Sequence, residues 1–118
     1  MASRDLGGDE VLLDQLGALL AEAQSLALLG FRTTLRALSG AEPGPESSVR
    51  KLLGVEHDQR VSELALTLLG QEAAVDDGDA AVWAHSFLAG RCLTIAGGTS
   101  EVQRNVIAER LLGLPRDP

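Results

Sequence analysis

The run Gly97-Gly98-Thr99-Ser100-Glu101 is the stretch of this sequence best equipped for chemistry, because two glycines leave the backbone bare and two hydroxyls and a carboxylate follow at once. Where such a run opens a helix, its exposed N–H groups favour an anion such as a pyrophosphate. The same residues also make an ordinary helix-to-helix turn, and spacing alone leaves both readings open. Ser100-Glu-Val-Gln103 has the form of a capping box, with the Ser hydroxyl and the Gln amide satisfying orphan backbone donors reciprocally. The remaining reactive side chains are isolated. His57 and His85 read as hydrogen-bonded packing residues, being too few for a metal cluster. Arg91 beside Cys92 could lower the thiol pKa, yet a single free cysteine reads first as a small buried hydrophobe. Arg104 and Arg110, six apart on one helix, are expected to pair with Glu101 or Glu109 at the surface.

These residues sit in a chain of 118 residues, room for one domain, here 1–118. Hydrophobic residues make up 45%, with a mean hydropathy of +0.10, so the chain can bury a core. Seventeen acidic residues against ten basic ones give a net charge of −7, which argues against nucleic-acid or anionic-lipid binding. Lys51 is the only lysine. One cysteine permits no internal disulfide, and a cytoplasmic, disulfide-free protein fits best. Apolar runs are broken every few residues by Glu, Gln or Arg, and the start shows no apolar leader, so neither a membrane span nor a secretory signal is expected.

The positioning elements read as helices throughout: an all-α, antiparallel bundle of about four, two long and two shorter. After a flexible start over 1–8, a first helix spans 9–39, with Asp9 as N-cap and Ser39-Gly40 as stop. Leu12, Leu16, Leu19, Ala23 and Leu26 form one stripe, and Leu13, Leu20 and Ala27 a second beside it. Gly17 and Gly30 inside it are expected to admit a close neighbour. The segment Gly40-Ala-Glu-Pro-Gly-Pro-Glu46 is a bundle corner, and a second helix covers 45–69 with Leu53, His57, Val61, Leu64 and Leu68 as its stripe and Gly70 as its stop. A third helix, 79–94, is capped by Asp79 and carries Val82, Trp83, Phe87 and Leu88. The last, 99–112, shows Val102, Val106, Ile107 and Leu111 on one face and ends at Gly113 before Pro115. Strand-period segments and internal repeats are absent from the sequence.

The string from Thr94 through Gly97-Gly98-Thr99-Ser100-Glu101-Val102-Gln103-Arg104 to Leu114-Pro115-Arg116 resembles the C-terminal signature of the acyl-CoA dehydrogenases. Pro43-Gly-Pro-Glu-Ser-Ser-Val-Arg-Lys-Leu-Leu53 and Glu63-Leu-Ala-Leu-Thr-Leu-Leu-Gly70 are similar to the middle helices of that family's C-terminal domain in actinobacterial-type members. The resemblance covers nearly the whole chain. It implies part of an FAD-dependent enzyme that dehydrogenates an acyl-CoA thioester between its α and β carbons, in which a glutamate removes the α-proton and the flavin accepts the hydride. It also implies that one long bundle helix of the complete domain stands before the region matched here.

By the same resemblance Gly98, Thr99 and Glu101 contact FAD, and the Gly70 region faces the cofactor of a neighbouring subunit. The family often has a glutamine where this chain has Thr67. Many relatives carry the glutamate base at the position of Gly97, while others carry it on the earlier bundle helix. No catalytic residue is therefore assigned, and the isolated chain is expected to be inactive. The partners implied are a second copy or other acyl-CoA dehydrogenase subunits and domains, with acyl-CoA bound by the complete enzyme. A noncatalytic helical module that keeps the family's association surface is the alternative.

Overall fold

The computed structural model describes residues 9–42, 44–75 and 77–116. The expected flexible start at 1–8 lies outside them, as do Pro43 in the bundle corner and Asp76. Among the described residues the chain is four helices and no strand: α1 (Glu10–Leu38), α2 (Glu46–Leu69), α3 (Gly78–Gly90) and α4 (Ser100–Val106). Short 3-10 turns follow α2 (Gly70–Ala74) and α3 (Arg91–Thr94), and a π-turn (Ile107–Leu111) continues α4.

Local chemistry sets the ends of α1. One carboxylate oxygen of Asp9 accepts from the N–H groups of Val11 and Leu12, each at 3.1 Å, and satisfies two of the orphan donors. The chain leaves through Ser39 and Gly40, whose φ of +79° suits a residue without Cβ. The Arg36 guanidinium then pairs with the Glu46 carboxylate and ties the end of α1 to the start of α2. That carboxyl is held below the ordinary glutamate range first by its own backbone N–H, with burial opposing and Arg36 and then Arg32 lowering it further. Pro45 lies just outside α2 as its cap residue.

α2 is the hub, packed against α1, α3 and α4. Its buried residues are small and polar, Ser48 and Ser62, because three neighbours approach its backbone closely. The Ser62 hydroxyl donates to the Gln59 carbonyl at 2.9 Å, so its burial leaves no polar group unsatisfied. α3 packs on α2 and buries Ala80 and Gly90, of which Gly90 faces α2 directly. A Cβ on Gly90 would stand 3.4 Å from the Asp58 carboxylate, and Gln59 Nε2 donates to the Gly90 carbonyl at 3.2 Å. The N-cap position of α3 is held by Asp77, which makes no side-chain cap bond, while Asp79 falls in the first turn and is not the cap expected from sequence.

α1 packs along α2 and leaves most of its surface open. The line it turns inward is Leu12, Leu19, Glu22, Leu26, Leu29 and Thr33, spaced three, four and seven apart, whereas Leu16 and Ala23 of the expected stripe are exposed. The second stripe faces outward, with Leu20 at 59% and Leu28 at 69% exposure, and Phe31 and Leu38 are open as well. Gly17 and Gly30 meet nothing within 4 Å, so the close neighbour expected there is not found among the described residues.

The global dimensions agree. The radius of gyration is 17.7 Å, against about 13.5 Å for a compact chain of this length. The accessible surface is 8515 Å², against roughly 6100 Å² for a compact monomer of this mass. By length and composition α1 is also apolar enough to cross a membrane, with a mean hydropathy of 1.3 over its best 18 residues, contrary to the sequence expectation. Its midpoint carries Glu22, engaged by His57 and Arg60 of α2, the arrangement of a helix packed in a bundle.

Candidate functional site

The approach to the glycine run begins where α3 gives way to the 3-10 turn Arg91–Thr94. Arg91 lies over the Phe87 ring at 4.3 Å and pairs with Glu63 of α2 at 2.6 Å, which fixes the exit of α3. Beyond it the backbone reverses at Gly97 (φ +71°) and Gly98 (φ +102°), the left-handed region that L side chains adopt only with strain. α4 opens immediately afterwards. Its cap is Thr99 rather than Ser100: the Thr99 hydroxyl accepts from the Val102 N–H at 3.3 Å. The reciprocal half of the expected capping box is also absent, because Gln103 Nε2 donates at 2.8 Å to the carbonyl of Gly97. Gln103 is 8% exposed, the one buried residue of α4.

α2 contributes the other fixed point. Lys51 Nζ donates to the Gly98 carbonyl at 2.6 Å across 47 residues of sequence. Both glycine carbonyls are thus held by side chains. Because a trans peptide points its N–H opposite to its C=O, the Thr99 N–H is directed away from Lys51, and it has no acceptor among the described residues. The Glu101 carboxyl is held below the ordinary glutamate range first by its own backbone N–H, then by the Thr99 hydroxyl, with burial opposing and a smaller contribution from Arg104. A carboxylate stabilised in this way is a weaker proton acceptor than a free one, which counts against Glu101 as a catalytic base.

The sequence-predicted residues therefore divide. Gly97, Gly98, Thr99 and Glu101 share one turn at the α2–α4 seam. Gly70 closes α2 at φ +58°, about 28 Å along the helix from Lys51 at 1.5 Å per residue, so it cannot serve the same ligand edge. The Thr67 hydroxyl is spent on the Glu63 carbonyl of its own helix at 2.9 Å. Cys92 is exposed, contrary to the buried reading, and so is His85. His57 is 3.1 Å from Glu22, a packing residue with a partner as expected. Arg104 pairs with Glu56 of α2 at 3.2 Å, and Glu109 with Arg116 at 3.4 Å, in place of the pairs expected within the last helix.

Lys51 and Gln103 are the residues that sequence reasoning passed over. Lysine's single occurrence is the available signal for the first, and the spacing of Gln103 from Ser100 points to a local cap instead. A cleft of about 290 Å³ also runs between α1 and α2, lined in part by Leu19, Glu22, Arg60 and Leu64, and no residue of the glycine turn borders it. Among the described residues no group of His, Cys, Asp and Glu is placed to hold a metal ion.

Residues 2–112 match the family described as acyl-CoA dehydrogenase, C-terminal domain, and the chain belongs to that family. It is 44% identical over 112 residues to the acyl-CoA dehydrogenase FadE34 of Mycobacterium tuberculosis, which covers 95% of this chain and 15% of that protein. It is 37% identical over 91 residues to the acyl-CoA dehydrogenase IpdE1 of Mycolicibacterium smegmatis, covering 76% of this chain and 23% of the relative. The crystal structure of the ChsE4-ChsE5 complex from Mycobacterium tuberculosis superposes with a TM-score of 0.81 at 29% identity, over 98% of this chain and 31% of the other. The chain spans less than a quarter of the length of these curated relatives.

Proposed function

We propose that this chain supplies the C-terminal bundle of an FAD-dependent acyl-CoA dehydrogenase and is inactive by itself. The observation that carries the reading is the Gly97–Glu101 turn: family membership is joined there to a bare, braced backbone with an outward Thr99 N–H. When bound, FAD supplies the acceptor for the hydride leaving the acyl chain. The residues present fit one edge of such a group, since the α-carbon of Gly97 faces open space and a Cβ there would meet nothing within 4 Å. Thr99 would hold that edge through its free backbone N–H, with Gly98 and Glu101 beside it and the Thr99 hydroxyl exchanging its Glu101 partner for the cofactor, since the Gly98 N–H is already spent on the Ile95 carbonyl. Enclosure of the cofactor requires other domains.

Gly70 would face the cofactor of a neighbouring subunit, a reading compatible with its separation from the turn, though Thr67 offers no free donor for that contact. The open face of α1 would be covered by a second copy or by another acyl-CoA dehydrogenase subunit, and the solved neighbour is itself a complex. With glycine at 97 and Glu101 engaged, neither position offers a base for α-proton removal. The second reading, a noncatalytic association module of the family, draws on that same Gly97 and on the exposed leucines of α1.

A flavin spectrum tests the proposal. The purified chain should show neither stoichiometric flavin absorbance nor acyl-CoA-dependent reduction of an electron acceptor above buffer. Joined to the remaining acyl-CoA dehydrogenase domains, it should carry flavin, and Thr99→Val with Glu101→Gln should reduce retention. Flavin retained unchanged by that double variant would remove the contact reading. A joined protein that never takes up flavin would favour the noncatalytic one.

A further inference from the structure

We propose that Lys51 and Gln103 are positioning residues: they brace the Gly97–Gly98 turn from two helices and so aim the Thr99 N–H at the ligand edge. The inference rests on the flavin-contact reading and adds two residues from outside the contact set. Three observations carry it. The single lysine of the chain, half-buried on α2, donates to the Gly98 carbonyl at 2.6 Å. Gln103, buried on α4, donates to the Gly97 carbonyl at 2.8 Å. A Cβ on Gly98 would come within 2.8 Å of Gln103 Nε2, so the amide packs flush against the glycine.

Two consecutive glycines have the widest conformational freedom of any dipeptide, and a turn made of them points nowhere in particular unless its peptide planes are held. Holding each carbonyl fixes its plane, and the trans geometry then sets the direction of the next N–H. An ammonium on the Gly98 carbonyl also polarises that peptide, which makes the Thr99 N–H a stronger donor. The mechanism works entirely through the backbone, so neither side chain has to touch the ligand.

The test combines amide exchange on the full chain with flavin release from the flavin-bearing assembly. In Lys51→Met, exchange at Gly98, Val102 and Gln103 should rise about tenfold, the scale of losing a charge-assisted hydrogen bond, while Leu19 and Val61 in the α1–α2 seam keep their rates. Lys51→Arg should restore protection, and Gln103→Glu, which keeps the volume and removes the donor, should reproduce the loss. Flavin release should speed up in Lys51→Met and return with Lys51→Arg. Unchanged exchange at the turn in both Lys51→Met and Gln103→Glu would overturn the inference, and so would a rise spread evenly along α2. Thr99→Val separates the two readings. If it speeds flavin release and Lys51→Met does not, the brace is refuted and the contact stands; if neither changes release, the contact reading itself fails.

Discussion

Arg60 on α2 donates to the Glu22 carboxylate on α1 at 2.6 Å, and the second oxygen of the same carboxylate lies 3.1 Å from His57 Nδ1. One acidic residue in a line of leucines that ends at Thr33 thereby sets the register between the two long helices. Both arms are partly exposed, so each contributes within the range of surface pairs, and Glu22→Ala should cost about 0.5–1.5 kcal/mol. Urea unfolding checks this. A Glu22→Leu variant at or above wild-type stability would show that the carboxylate selects register rather than strength.

Substitution at the two glycines of the turn should separate strain from collision. Gly97→Ala meets open space at φ +71°, so it carries the left-handed penalty of about 1–2 kcal/mol. Gly98→Ala carries a similar penalty and also collides with Gln103 Nε2, so its melting temperature should fall further. Gly97→Glu should lose stability like Gly97→Ala and yield no turnover in the isolated chain with FAD added. A base works only at about 3 Å from its proton with an acceptor in place.

Acid should loosen the start of α4. The Glu101 pKa is depressed in the folded chain, so the stability it contributes is complete above its unfolded value of about 4.3 and is lost as pH falls through the lower folded value. Glu46 acts in the same direction at the α1–α2 corner. NMR titration should place the Glu101 midpoint below that of an unstructured glutamate, and Thr99→Val should raise it by removing the hydroxyl donor.

Self-association should follow from the outward face of α1. Leu13, Leu20 and Leu28 are all exposed, and burying the part of each that is open is worth roughly 3–5 kcal/mol in all before association entropy is subtracted. Sedimentation at ~10 µM should give a dimer or larger species. Leu13→Glu with Leu20→Glu should give a monomer of unchanged helical content. A wild-type monomer with a cooperative melt would show instead that the open face needs no cover.

Helix ends were legible in the sequence wherever one residue decides them. Asp9 caps with its own side chain, and Gly40, Gly70 and Gly113 take positive φ where helices stop, each within a few residues of its cause. The face that α1 buries was not legible, because its apolar arc fits two inward lines and the line chosen contains Glu22, which a hydrophobic pattern rejects. The α3 cap was misplaced because Gly78 enters the helix itself, which moves the N-cap position back to Asp77. At the site, the Gly97–Glu101 string marked the turn correctly, yet its supports were invisible. Lys51 holds a backbone carbonyl, an acceptor every residue possesses, so no spacing in the sequence points to it. Gln103 had a local partner available and took a more distant one.

The brace also has a use in the laboratory. Because Lys51 is the chain's single lysine, an amine-directed reagent has one side chain to modify, and the nitrogen it needs is the one engaged with Gly98. Its rate of modification becomes a clock for how often the turn lets go, readable by mass on intact protein. A lysine-specific protease given the native chain would have to unwind α2 around Lys51 before cutting between Lys51 and Leu52, so its rate reports the opening of that helix while the amine reagent reports the turn.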